Sequence, residues 1–76
     1  MLHFGEVDGF DFEAKVYDNP SQFGLDPSNP RKMGMSRISK LWIYDEERAI
    51  YSYERGFDGG TKKGVEVARR VAALFS

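Results

Sequence analysis

The chain has 76 residues, 11 basic and 12 acidic, a formal net charge of −1 and no cysteine. That length allows one hydrophobic core and no second domain, and the missing cysteine excludes disulfides, thiolate metal sites and thiol catalysis. The charge balance gives no bulk attraction to nucleic acid or anionic membrane, and no run approaches the ~20 apolar residues that span a bilayer.

The N-terminal segment MLHFGEVDGF pairs no basic region with an apolar stretch, so no signal peptide is expected and the protein should stay in the cytoplasm. Residues 2–17 alternate with period 2 around Asp8-Gly9, which marks a β-hairpin. A two-residue turn pairs Val7 with Phe10 and places Leu2 and Phe4 opposite to Phe10 and Phe12. A three-residue loop with Gly9 left-handed pairs Phe4 with Phe12 instead. It collects Leu2, Phe4, Phe10, Phe12, Ala14 and Val16 on one face, and is preferred because burying one face specifies register.

From 18 to 34 the periodicity stops, and this segment contains all three prolines. The reading is a long Pro-rich loop, with Phe23 and Leu25 as the residues able to pin it to the domain or to serve a partner. A second hairpin spans 35–55 and turns at Glu46-Glu47, pairing Ile43 with Ile50, Trp42 with Tyr51 and Lys40 with Tyr53. One face then carries Leu41, Ile43 and Ile50. The other carries Ile38, Lys40, Trp42, Tyr44, Tyr51, Tyr53 and Arg55, which is unusual for an antiparallel sheet covered on one side.

Phe57-Asp58-Gly59-Gly60 reads as a turn, and Thr61 as the N-cap of a helix over 62–75. Val65, Ala68, Val71, Ala72 and Phe75 recur at helical spacing, with Val67 and Leu74 widening the stripe. Lys62, Glu66, Arg69 and Arg70 occupy the polar side. The expected fold is α+β: a single domain over 1–76, with a four-stranded antiparallel sheet of two β-hairpins and one C-terminal helix packed on one face.

FEAKVYDNPSQFG, SRISKLWIYD and YSYERGFD together give the chain a resemblance to a family. It is similar to a family of short proteins from Gram-positive bacteria and their phages and prophages, without an assigned activity. Their shared order is F-x-A-K-V-Y-D, a loop with S-x-x-G, then R-I-S-K-L-W-I and Y-x-R-G-W-D. Here Phe57 stands in place of the tryptophan, and the stretch Leu25 to Met33 lengthens the loop. The resemblance covers most of the chain before the helix. It implies a phage or mobile-element context, in which small genes often encode inhibitors or sponges directed at host defence, CRISPR systems included.

No catalytic constellation emerges. His3 is the single histidine, and nothing places a serine beside it, so it reads as an edge-strand residue. Asp8, Asp11 and Glu13 alternate with core residues and lack the spacing of a calcium loop. Gly56, Gly59 and Gly60 with Lys62 and Lys63 only loosely suggest a phosphate loop. Lys40, Trp42, Tyr44, Tyr51, Tyr53 and Arg55 have the chemistry to stack bases, and equally to form a protein interface or to lie under the loop. Arg55 and Asp58 either pair across Gly56, or Arg55 holds a carboxylate or phosphate. The expectation is a cytoplasmic, non-enzymatic binding protein without metal or cofactor. It would act stoichiometrically on a host protein or complex through the aromatic face, with homodimerisation as a companion property. The alternatives are a nucleotide sponge using aromatic stacking and Arg55, and a structural, homo-oligomeric accessory protein.

Overall fold

The computed structural model describes residues 1–75. Strand β1 (Leu2–Val7) turns at once into β2 (Phe10–Leu25). Asp8 and Gly9 both take positive φ, 54° and 85°, the two-residue geometry whose twist matches its flanking strands. Val7 therefore pairs with Phe10 and Phe4 with Glu13, not with Phe12 as the preferred register required. Gly5 is where the apolar alternation breaks. That residue offers the core no side chain, yet it lies opposite Phe12, whose ring occupies the space. A Cβ on Gly5 would sit 2.8 Å from Phe12 Cε2. His3, Gly5 and Val7 thus face the core, while Leu2, Phe4 and Glu6 face away.

The segment expected to be a loop over 18–34 is mostly strand. β2 continues to Leu25, and β3 (Met33–Asp45) begins at Met33, leaving 26–32 as the connection. Register shifts after Lys15, Val16 and Ser21 let β2 absorb Pro20, which an unbroken ladder would reject. In the connection, Asp26 accepts from the Ser28 hydroxyl at 2.7 Å and from its amide at 2.9 Å, which holds the Asp26 carboxyl below the usual carboxylate range. The Asp26 amide closes the turn by donating to the Lys32 carbonyl at 3.1 Å.

β3 pairs with β4 (Arg48–Glu54), and β4 with β5 (Phe57–Gly60). The sheet has five antiparallel strands in the order β1-β2-β3-β4-β5, correcting the expected four. Arg55 in the left-handed region, φ 56°, reverses the chain so sharply that the Glu54 amide donates to the Gly56 carbonyl at 2.9 Å. What the sequence suggested as a turn is thereby laid alongside β4 as an edge strand.

Helix α1 (Lys62–Leu74) crosses one face of the sheet. The Thr61 hydroxyl accepts from the Gly64 amide at 2.9 Å and caps its start. Val65, Val67, Ala68, Val71 and Ala72 are buried against Phe12, Ala14, Val16, Leu41 and Ile43 from the sheet. Leu74, expected to widen the stripe, is exposed. The outer half of the β2–β3 hairpin folds over the same face beside the helix. Leu25 and Pro30 are buried there, and Arg37 Nε donates to the Phe75 carbonyl at 3.2 Å. One face of the sheet is consequently closed by helix and hairpin arm, and among the described residues no element packs on the other.

Candidate protein-binding face

Which residues reach the bare face is decided by one extra residue in β4. Asp45 pairs with Arg48 and Tyr44 with Ala49, but Ile43 then pairs with Tyr51, Trp42 with Ser52 and Leu41 with Tyr53. Ile50 is the bulge, and beyond it every β4 side chain lies on the face opposite to that of the unbroken register. The expected pairs Ile43–Ile50, Trp42–Tyr51 and Lys40–Tyr53 do not form.

Tyr51 and Tyr53 are therefore core residues, 1% and 0% exposed. The Tyr51 ring lies 5.7 Å from that of Phe57, and its hydroxyl donates to the Pro30 carbonyl at 2.7 Å. The Tyr53 hydroxyl lies 2.7 Å from the Gly24 carbonyl and 3.1 Å from that of Phe23, so its one proton is shared between two acceptors. Burial pushes both phenols above their ordinary value, since an ionised phenolate would lose its hydration there. These tyrosines hold the hairpin arm down on the helix side of the sheet, within the one core, and not over the opposite face as a second core. Leu25 is fully buried in the same core cluster. Phe23 stays exposed, with the Arg55 guanidinium 5.3 Å from its ring centre. Arg55 forms no ion pair with Asp58 among the described residues. It is separated from the aromatic cluster it was expected to join.

Of the six expected face residues, Lys40, Trp42 and Tyr44 do lie together on the bare side. Strand pairing sets them in three rows. The first runs Leu2–Lys15–Lys40–Glu54, the second Phe4–Glu13–Trp42–Ser52, the third Glu6–Asp11–Tyr44–Ala49. Leu2 and Phe4 are 51% and 71% exposed, and Trp42 and Tyr44 are half-buried by their neighbours. Lys40 bonds Glu54 at 3.3 Å. Lys15 lies 5.6 Å from the Tyr17 ring, and its ammonium lowers the Tyr17 phenol from the ordinary tyrosine value. The surface thus interleaves Leu2, Phe4, Trp42 and Tyr44 with charge: Glu13 lies between Phe4 and Trp42, and Glu6, Asp11, Glu13 and Glu54 outnumber Lys15 and Lys40. Leu2 and Phe4 were missed as surface residues, although the Asp8-Gly9 pair alone signals the turn that puts them there.

The opposite pole is basic. Arg31 from the hairpin connection meets Lys62, Arg69 and Arg70 of the helix around an open cleft of about 500 Å³ that also takes in Val65 and Glu66. Arg70 is committed to Asp8 at 2.6 Å and to Glu66 at 3.6 Å. Gly59 and Gly60 belong to β5, so the glycines before Lys62 form an edge strand and not a phosphate loop. His3 packs its ring 5.0 Å from that of Phe75 on the core side of β1. Among the described residues, no three His, Cys, Asp or Glu side chains gather to hold a metal ion, and no helix is long and apolar enough to cross a membrane.

The chain belongs to a family described as a domain of unknown function, DUF7678, whose family model matches residues 1–75. Comparison with curated proteins and with solved structures finds no match.

Proposed function

We propose that this chain is a small non-enzymatic binding protein that engages a protein partner through the bare face of its sheet. The observation that supports this is the row Phe4–Glu13–Trp42, continued by Tyr44, on a face that no other element of the fold covers. Trp and Tyr are common anchors of protein interfaces, because a rigid ring supplies contact area at little conformational cost. Four carboxylates among those anchors, with Glu13 between Phe4 and Trp42, call for a partner surface that sets basic groups among its apolar contacts. The same carboxylates disfavour phosphate-bearing ligands on this face. With Tyr51 and Tyr53 in the core and Arg55 on Phe23, a nucleotide sponge loses most of the residues it would use.

The finer reading is a stoichiometric inhibitor of a host protein in the cytoplasm, and its support is the resemblance to phage and prophage proteins. Affinity capture from host extract tests the face directly, using wild type, Trp42→Ser and Arg69→Ser. A protein retained in equimolar amount by wild type and by Arg69→Ser, but lost with Trp42→Ser, supports the proposal. Retention that depends on Arg69 and not on Trp42 would move the site to the basic cleft and refute it.

A further inference from the structure

The free edge of β1 carries an arrangement of charges that the isolated chain does not explain. β1 is the outermost strand of the sheet. Its inward hydrogen-bonding positions are fixed by the Met1–Val16 exchange, in which the Val16 amide donates to the Met1 carbonyl at 2.9 Å and the Met1 ammonium to the Val16 carbonyl at 3.0 Å. Alternation then directs the amides and carbonyls of Leu2, Phe4 and Glu6 away from β2. Native edge strands are usually blunted by charged side chains (lysine above all), a proline, a bulge or shortness. LHFGEV contains no lysine or proline, its pairing with β2 is unbroken, and its one acidic residue is Glu6.

Like charges face each other across the strands beside this edge: Lys15 opposite Lys40, and Glu6 opposite Asp11. Directly opposed like charges destabilise a sheet. Lys40 is relieved by Glu54, but Lys15, Glu6 and Asp11 form no ion pair among the described residues.

We propose that β1 pairs antiparallel with β1 of a second copy, about a two-fold axis at Phe4, to make one continuous sheet with both bare faces on the same side. Centring the axis on Phe4 uses all three outward residues, because Phe4 then exchanges hydrogen bonds with its own symmetry mate and Leu2 with Glu6. The operation also resolves the charges. The row that ends Lys40–Lys15–Leu2 in one copy continues as Glu6–Asp11 in the other, so Lys15 reaches across Leu2 toward two carboxylates, twice per dimer. This goes beyond the protein-binding reading, since it concerns the edge and not the face. It would present that face in duplicate. With only six residues in β1, the association should depend on concentration.

The test is solution mass by light scattering across a concentration series. Wild type is expected to shift from monomer to dimer. Phe4→Pro removes an outward amide that β2 does not use, so it should stay folded by thermal unfolding and remain monomeric. Lys15→Glu and Glu6→Lys each place like charges across the new junction in two symmetric places, and each should weaken the dimer about tenfold. The double variant Lys15→Glu/Glu6→Lys exchanges the signs and should restore it. Trp42→Ser, two strands inside the edge, should leave the mass unchanged while removing partner capture, which separates failure of this proposal from failure of the other. A wild type that is monomeric throughout, or a dimer indifferent to charge reversal, would overturn the two-fold pairing. Should Phe4→Pro fail to fold, the charge-swap series decides alone.

Discussion

The Tyr51 hydroxyl donates to the Pro30 carbonyl at 2.7 Å, joining the bulged strand β4 to the far end of the β2–β3 hairpin across 21 residues of sequence. Both atoms are buried, so neither can turn to water instead. Tyr51→Phe keeps the ring and strands the carbonyl, and the expected loss is about 1–2 kcal/mol in urea unfolding. Tyr51→Glu should be far worse. On a bare aromatic face it would be a mild surface change, but here it buries a carboxylate, and the expected result is an unfolded chain by circular dichroism.

Alkaline pH should expose the same two phenols. Burial raises Tyr51 and Tyr53 in the folded state above the 10.0 of an unperturbed tyrosine. The unfolded chain therefore releases these protons first as pH rises, and stability falls wherever the unfolded state holds fewer protons. Their contribution is fully present below about pH 10 and is lost progressively above it. Spectrophotometric titration followed with circular dichroism should show Tyr17 ionising early, as Lys15 favours its phenolate, and Tyr51 and Tyr53 ionising together with unfolding. Smooth ionisation of both in a chain that stays folded would contradict their placement.

Gly64 reverses the usual rule for a helix. Replacing a glycine by alanine inside a helix ordinarily stabilises by about 1 kcal/mol. A Cβ at this position would overlap the Ile50 carbonyl, because the first turn of α1 lies directly on the bulged part of β4. Gly64→Ala should lower the urea midpoint, and a raised midpoint would show that the helix stands further from the sheet.

Gly5 and Phe12 are coupled in the same steric way. Gly5→Ala drives a methyl group toward the Phe12 ring and should cost about 1–3 kcal/mol by overpacking. In Phe12→Leu, where the ring is gone, the same substitution should cost clearly less. A double-mutant cycle in urea reads that coupling, and additive effects would place the two residues apart.

Local periodicity carried the sequence reading as far as it could. The Val65, Ala68, Val71 and Ala72 spacing marks a helix face because that pattern repeats on a single element. The capping hydroxyl of Thr61 is equally local. The two errors of face both came from single residues that pattern matching weighs wrongly. Gly5 counts as a gap in an apolar alternation, although Phe12 fills it from the neighbouring strand. Ile50 counts as one step in the strand, although it adds a step without a partner and inverts Tyr51 and Tyr53. The strand content of the 18–34 segment was hidden by Pro20, which is tolerated only because bulges surround it. Lys40, Trp42 and Tyr44 were legible as a surface because they alternate on a single strand. Their neighbours Leu2 and Phe4 were not, since their position depends on register across two hairpins.

That register makes Phe4 and Phe12 a paired test. Had the three-residue loop formed, both would lie opposite each other in the core, and truncating either would cost about 3–5 kcal/mol. With the two-residue turn, Phe12 is buried and Phe4 is exposed on the outer face of β1. Phe12→Ala should show that full cost in urea unfolding, extrapolated at a concentration where the chain is monomeric. Phe4→Thr replaces an exposed ring with a residue that suits an edge strand, and should change stability by no more than about 0.5 kcal/mol. It should also raise solubility, since an exposed aromatic on a free strand edge favours association. Equal losses at the two positions would restore the register that Asp8-Gly9 rejects, and with it would remove Phe4 from the binding face.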